Sequence, residues 1–223
     1  MCPQAAVVAC EVMRREFEAV IGGRDMPLHL AEYALHSKPQ NMAGRVMEKI
    51  LLAQAQGAEH ILLGYGRCSN GILGVRAEGG LTMPRCHDCI AMLLGSPKRY
   101  HDIFYRYPGA YFLSAGWVEV YGDPLSTVEK KYAPRMGEKK ALRGMQLELA
   151  NYKYIIYINN GVGDVAALKE RALENCRVFE KEYLEIEAGL EYFSALVDGP
   201  RRKGHFISLP PGQELQDTDF EYW

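Results

Sequence analysis

The 223-residue chain has no apolar run approaching the roughly 18 residues that a spanning helix requires. Neither sign of charge dominates, since 26 Lys and Arg face 28 Asp and Glu for a formal net charge of −2. Without a basic surplus, electrostatics gives no reason to expect a nucleic acid or an anionic membrane as partner. The amino terminus has no basic leader, and its apolar stretch from Ala5 to Cys10 is too short for an export signal. A cytoplasmic setting is therefore expected. There, thiols stay reduced, and six cysteines read as core residues, ligands or nucleophiles rather than disulfides.

What is present is an ordinary folded composition, 48% hydrophobic and 24% charged. It suits one large α/β domain, or two lobes sharing a core. Ala5–Cys10 reads as a buried strand, Glu11 to Ile21 as a helix ended by Gly22-Gly23, and Pro27 to Leu35 as a strand. Pro39 to Gln56 reads as a helix with Val46, Met47, Ile50 and Leu51 on one face, and His60 to Tyr65 as a third strand. A comparable order returns near the end. Strands at Tyr154 to Ile158, Tyr183 to Ile186 and His205 to Leu209 alternate with helices at Asp164 to Phe179 and Leu190 to Val197.

Between these arrays lie a strand at Leu81 to Pro84, a helix from Asp88 to Tyr107 interrupted at Gly95-Ser96-Pro97, a strand at Ala110 to Ser114, and a helix near Glu138 to Asn151. The expected fold is α/β, mainly parallel, built from two Rossmann-like β-α-β-α-β arrays with a central connecting segment. Residues 1–80 and 151–213 would be the pseudo-equivalent lobes and 81–150 the connector. One continuous sheet is the alternative. The acidic tail 214–223 reads as a peripheral arm whose aromatic end (Phe220, Tyr222, Trp223) can dock on the body or on a second subunit. The oligomeric state is left open.

Cys10, Cys68 and Cys89 each sit just past the carboxyl end of a strand, where open α/β sheets hold their ligands. His87 lies two residues from Cys89, and such residues of an extended segment project to the same side. An H-x-C pair with distant cysteines fits a catalytic zinc site that keeps one position open. Three cysteines also suit a [4Fe-4S] cluster with one exposed iron. The two differ in geometry: sulfurs within about 4 Å for one zinc, about 6–7 Å apart around a cluster. A zinc knuckle would need two close cysteine pairs, which the chain lacks. Cys176 falls on the apolar face of its helix and reads as core, and Cys2 lies at the terminus.

The loop Gly64-Tyr65-Gly66-Arg67-Cys68-Ser69-Asn70-Gly71 lets backbone approach a ligand, so Gly64, Gly66, Asn70 and Gly71 are candidate binding residues. It is not the dinucleotide fingerprint, because the third glycine is out of register. Arg67 can anchor an anionic group or equally stay solvated, and Glu11 can serve as acid or base or simply favour its helix start. Ser114 and Trp117 are expected to line the cleft, with core packing the equal alternative for Trp117. Asn159 to Asp164 reads first as a helix cap and second as an anion site.

Val8-Ala9-Cys10-Glu11, Leu62-Leu63-Gly64-Tyr65-Gly66 with Cys68 and Asn70-Gly71, and Pro84-Arg85 with His87-Asp88-Cys89-Ile90 resemble motifs of a prokaryotic family of unknown function. Leu94-Gly95-Ser96, Tyr111 to Ser114 with Gly116-Trp117, and Pro210-Pro211-Gly212 fit it too. Members of that family are often encoded beside corrinoid-dependent methyltransferases. Cys10, Cys68, His87 and Cys89 fall on its motif positions, while Cys86 does not. The resemblance implies a fold and a metabolic neighbourhood but no assigned reaction.

The leading expectation is a metal-dependent enzyme, zinc or iron-sulfur, acting on a small molecule in corrinoid-linked methyl-group metabolism. Cys10, Cys68 and Cys89 would be ligands, His87 a fourth ligand or proton shuttle, and Glu11 and Arg67 supporting groups. The rival is a non-catalytic metal- or corrinoid-binding accessory protein of a methyltransferase. A plain small-molecule binding domain is the third reading.

Overall fold

The computed structural model describes residues 4–32, 38–199 and 204–221. The first part of the chain runs β1 (Ala5–Cys10), α1 (Arg14–Ile21), β2 (Leu28–Ala31), α2 (Met42–Ala55), β3 (His60–Gly64) and β4 (Leu81–Pro84). There follow α3 (Cys89–Leu93), α4 (Pro97–Arg106), β5 (Ala110–Leu113), α5 (Ala115–Val120), α6 (Pro124–Thr127), α7 (Ala133–Met136) and α8 (Glu138–Glu148). The last elements are β6 (Tyr154–Asn159), α9 (Val165–Phe179), β7 (Glu182–Glu187), α10 (Glu191–Val197) and β8 (Phe206–Leu209).

These strands form a mixed α/β fold with two sheets, ordered β2-β1-β3-β4-β8 and β5-β6-β7. All pairings are parallel except β8 on β4, where Leu81 faces Leu209 and Pro84 faces Phe206. The expectation of two equivalent arrays is corrected here. The terminal strand leaves its neighbours and closes the first sheet antiparallel, while the central segment gives β4 to one sheet and β5 to the other. A four-residue apolar strand presents the same ladder in either direction, so its sequence does not fix its sheet.

The first sheet is buried on both faces. Ala6 and Val8 enter the core beneath α2, whereas Val7 and Ala9 face α1 and α10. This is why β1 reads as an unbroken apolar run rather than an alternating one. In α2, Met42, Val46, Ile50 and Ala53 form the buried stripe, and Leu51, expected on it, points to solvent. The second strand is shorter than read, and positions 33–35 of that reading lie outside the described residues. The helix after β4 breaks as expected, with Ser96 capping α4. The short helices between 115 and 136 were not anticipated. The arm returns over the first core, where Leu215 exchanges backbone hydrogen bonds with Gly74 and Val75, and Leu215 and Phe220 are buried. Tyr222 and Trp223 lie outside the described residues.

On α1, Phe17 meets Phe193 of α10 edge to face at 5.2 Å. Beside it Glu16 is fully buried, and neither carboxyl oxygen bonds to another described residue. Burial pushes its pKa from 4.5 up to about 7, with Glu119 adding to the rise and Arg15 opposing it. Between those values the folded state keeps a proton that the unfolded chain releases. Stability therefore falls as pH rises, by about 3 kcal/mol in all, and levels off above the folded pKa. Urea midpoints at pH 5 and pH 8 should show that slope in the wild type and lose it in Glu16→Met. An unchanged slope in the variant would remove Glu16 as its source.

Among the described residues, no helix is long and apolar enough to cross a membrane.

Candidate functional site

Parallel register brings the carboxyl ends of β1, β3 and β4 to one edge, with Ala9 beside Gly64 and Ile61 beside Leu81. Cys10 is the last residue of β1, and the chain turns directly into a helical turn at Glu11–Met13, so that the Val12 backbone reaches the Cys10 thiol. Past β3, the loop lies along the chain that follows β4. Arg67 N–H donates to Cys86 O and Cys68 N–H to His87 O, both at 2.8 Å. Asp88 then caps α3 by accepting from Ile90 N at 2.9 Å and Ala91 N at 3.3 Å, which fixes Cys89 in the first turn.

The consequence is a thiol cluster. Cys68 Sγ and Cys89 Sγ stand 3.8 Å apart, and the Cys10 thiol hydrogen-bonds to that of Cys89. All three line one cavity of about 550 Å³. The hydrogen bond with Cys89, and then burial, hold the Cys10 thiol far above its ordinary pKa. For Cys89, the bond with Cys10 and the Gly66 backbone pull downward, but Cys68 and burial outweigh them and the thiol is raised. Neighbouring thiols out of water keep their protons unless a cation compensates the charge. Among the described residues, no group of three or more His, Cys, Asp and Glu side chains is placed so that it could hold a metal ion as it stands.

The cavity wall opposite the thiols comes from the second sheet and its flanks. Tyr111, Phe112 and Leu113 of β5, Ile158 of β6, Tyr152 and Trp117 provide it. Ser114 and Trp117 line it as expected, but Ser114 spends its hydroxyl on capping α5, accepting from Trp117 N at 3.3 Å. His87 is exposed and borders the cavity. Arg67 also borders it, with its guanidinium donating to Asn70 Oδ1 at 2.6 Å, paired with Asp217 and lying over the Phe220 ring. Glu11 lies outside the lining, 3.6 Å from Arg14.

Asn70 reaches the cavity, but Gly64, Gly66 and Gly71 serve chain packing instead of ligand approach. A Cβ at Gly64 would fall 2.5 Å from the Phe17 ring, and at Gly71 3.0 Å from Cys68 O and Met42 Sδ. Cys86 and Cys176 are core residues, the first donating to Asp88 O at 3.3 Å. Asp164 caps α9 through Ala167 N at 3.0 Å, in line with its first reading. Tyr65, which the sequence reading passed over, turns its side chain into the cavity wall. Its one signal was a phenol between two glycines at a strand end.

Cys68, Ser69 and Asn70 occupy the left-handed region in succession, with φ of 47°, 56° and 66°. Each such non-glycine residue costs about 1–2 kcal/mol, and strain of this kind collects at functional sites. Ser69 is exposed, so Ser69→Gly should relieve strain without losing packing. After the entropy lost on folding, a gain of about 1 kcal/mol in a thermal melt is expected. A destabilised variant would show that the strain is not there.

The family model described as "Protein of unknown function (DUF1638)" matches residues 30–197, three quarters of the chain. The chain belongs to the DUF1638 family. No curated protein and no solved structure matches this DUF1638 chain. The matched span holds Cys68, Cys89 and the aromatic wall of the cavity, whereas Cys10, β8 and the arm fall outside it.

Proposed function

We propose that this DUF1638 protein binds one zinc ion through Cys10, Cys68 and Cys89 and acts on a small, mostly apolar molecule held in the adjoining cavity. The observation that carries this reading is the 3.8 Å between Cys68 and Cys89, with Cys10 joined to the same thiol. Tetrahedral ligation with sulfur about 2.3 Å from zinc sets sulfurs about 3.8 Å apart. A cluster needs them about 6–7 Å apart. The donor set is soft and suits zinc. Three protein ligands leave a fourth position for substrate, where the ion would hold a thiol as its nucleophilic thiolate.

The protein's own groups support a neutral or weakly polar substrate. Val12, Leu93, Phe112 and Ile158 supply apolar contact, and Arg67 is already held by Asp217 and Asn70. The sequence resemblance adds methyl-group transfer linked to a corrinoid protein as the setting for thiol activation. A second reading is favoured by the position of Glu11 outside the cavity. With no carboxylate other than the capping Asp88 in the lining, the site suits a non-catalytic carrier that delivers a metal or corrinoid to a methyltransferase.

Anaerobic purification followed by metal analysis and an absorption spectrum tests the reading. About one zinc per chain with no visible band is the expected result. A broad visible band from sulfur-to-iron charge transfer would replace zinc by a cluster. Protein that retains no metal, and does not compete with a zinc-binding dye once reduced, would overturn the metal site. Bound zinc without turnover of any thiol or methyl donor would favour the carrier.

A further inference from the structure

Arg67 is the one lysine or arginine side chain among the described residues of the cavity wall. Its charge is already compensated. The guanidinium pairs with Asp217, lies 5.9 Å from the centre of the Phe220 ring, and donates to Asn70 Oδ1 at 2.6 Å. Asp217 stands outside the lining and meets the cavity through Arg67.

An ordinary surface ion pair contributes little, because two mobile side chains must be ordered to make it. This pair is built differently. Asp217 opens a helical turn, Asp217–Phe220, that is pinned at both ends. Before the turn, Leu215 is buried and its N–H donates to Val75 O at 2.8 Å; at its far end Phe220 packs into the first core. Across the pair, Arg67 belongs to the loop tied to Cys86 and His87 by two hydrogen bonds of 2.8 Å, and its side chain is 26% exposed. The fold therefore holds the carboxylate at the guanidinium. An anion entering the cavity meets a neutralised arginine with a second negative charge behind it, and one like charge at such range changes affinity several-fold.

We propose that Asp217 is a specificity-determining residue of the cavity: by neutralising Arg67 it makes the site select uncharged apolar ligands over anionic ones of the same shape. The inference rests on the apolar-cavity part of the reading above and not on the metal. It also gives the carboxyl-terminal arm a role at the site that packing alone does not require.

Two dyes with one aromatic body test it: anilinonaphthalene sulfonate, an anion, and phenylnaphthylamine, its uncharged parent. A cavity of about 550 Å³ is of the size that takes such molecules. Fluorescence titrations give both dissociation constants for reduced, metal-free wild type, Asp217→Asn, Arg67→Gln and the double variant. Asparagine keeps the shape of the side chain and removes its charge. Asp217→Asn should raise affinity for the anionic dye, relative to the neutral one, by about fivefold. With Arg67→Gln in place, the same substitution should raise that ratio far less, because no guanidinium is then released. Equal ratios in wild type and Asp217→Asn would overturn the assignment. So would an equal gain with and without Arg67, which would make Asp217 only a distant charge. If Asp217→Asn moved both dyes alike, the arm would be a cover and not a selector, and the proposal would fall. Wild type that takes up neither dye would instead bring down the apolar-cavity reading, and this inference with it, while leaving the metal site to its own test.

Discussion

Alanine in place of Gly66 will cost several kcal/mol of stability and separate Cys68 from Cys89. A Cβ there would lie 2.5–2.7 Å from N, Cα and C of Asp88. Those atoms are backbone, and they are tied down because the Asp88 carboxylate caps α3. A flexible side chain could yield by rotating; this segment can yield only by moving away. Doing so stretches the Arg67 to Cys86 and Cys68 to His87 hydrogen bonds that hold the two loops together. Overpacking of about 1–3 kcal/mol and two weakened bonds of about 1 kcal/mol each place the total near 3–5 kcal/mol. Zinc affinity should fall with it, since the spacing of two sulfurs depends on the same two bonds. Gly44→Ala is the contrast. It lies within α2 with nothing near its would-be Cβ, and should be neutral or slightly stabilising. Urea midpoints and dye-competition zinc affinities measure both, and a Gly66→Ala protein matching wild type in each would refute the argument.

The same loop shows what a sequence can and cannot carry. Strand ends at Cys10, Gly64 and Pro84 were legible because apolar runs mark buried parallel strands, and parallel strands end on one edge. From that alone, the three thiols were expected together. The partners of Gly66 were not legible, because Asp88 lies on another strand's exit and only the register brings it near. Arg67 read either as an anchor for a substrate anion or as a solvated side chain. Its actual partners, Asp217 and Phe220, come from an arm 150 residues later and nothing local announces them. Direction was lost for β8, because a short apolar strand pairs either way. Tyr65 was hidden for a different reason. Its ring satisfies the hydrophobic pattern, and only the fold brings its hydroxyl to the Cys10 thiol.

Cys89→Ser will weaken zinc binding by somewhat over a hundredfold. Structural zinc sites bind with about 10–16 kcal/mol spread over four ligands, so one thiolate is worth roughly 3 kcal/mol. Cys89 is the vertex of the cluster, in contact with Cys68 at 3.8 Å and hydrogen-bonded to Cys10. Serine keeps the size but offers a hard, weakly acidic oxygen in place of a soft thiolate. Because Cys89 lies in the first turn of α3, whose cap is the Asp88 side chain, the substitution leaves the helix start intact. Cys86→Ala separates ligation from packing. Its thiol is buried three residues earlier and donates to Asp88 O at 3.3 Å, so its loss should lower stability by about 1–2 kcal/mol. Its zinc affinity should stay that of the wild type, because the side chain is absent from the cavity wall. Metal competition alongside urea unfolding resolves the two variants into opposite patterns: Cys89→Ser loses metal and keeps stability, Cys86→Ala loses stability and keeps metal. If both variants lose zinc alike, the cysteines act through the fold and not as ligands. If neither does, the thiol cluster is not where the metal binds.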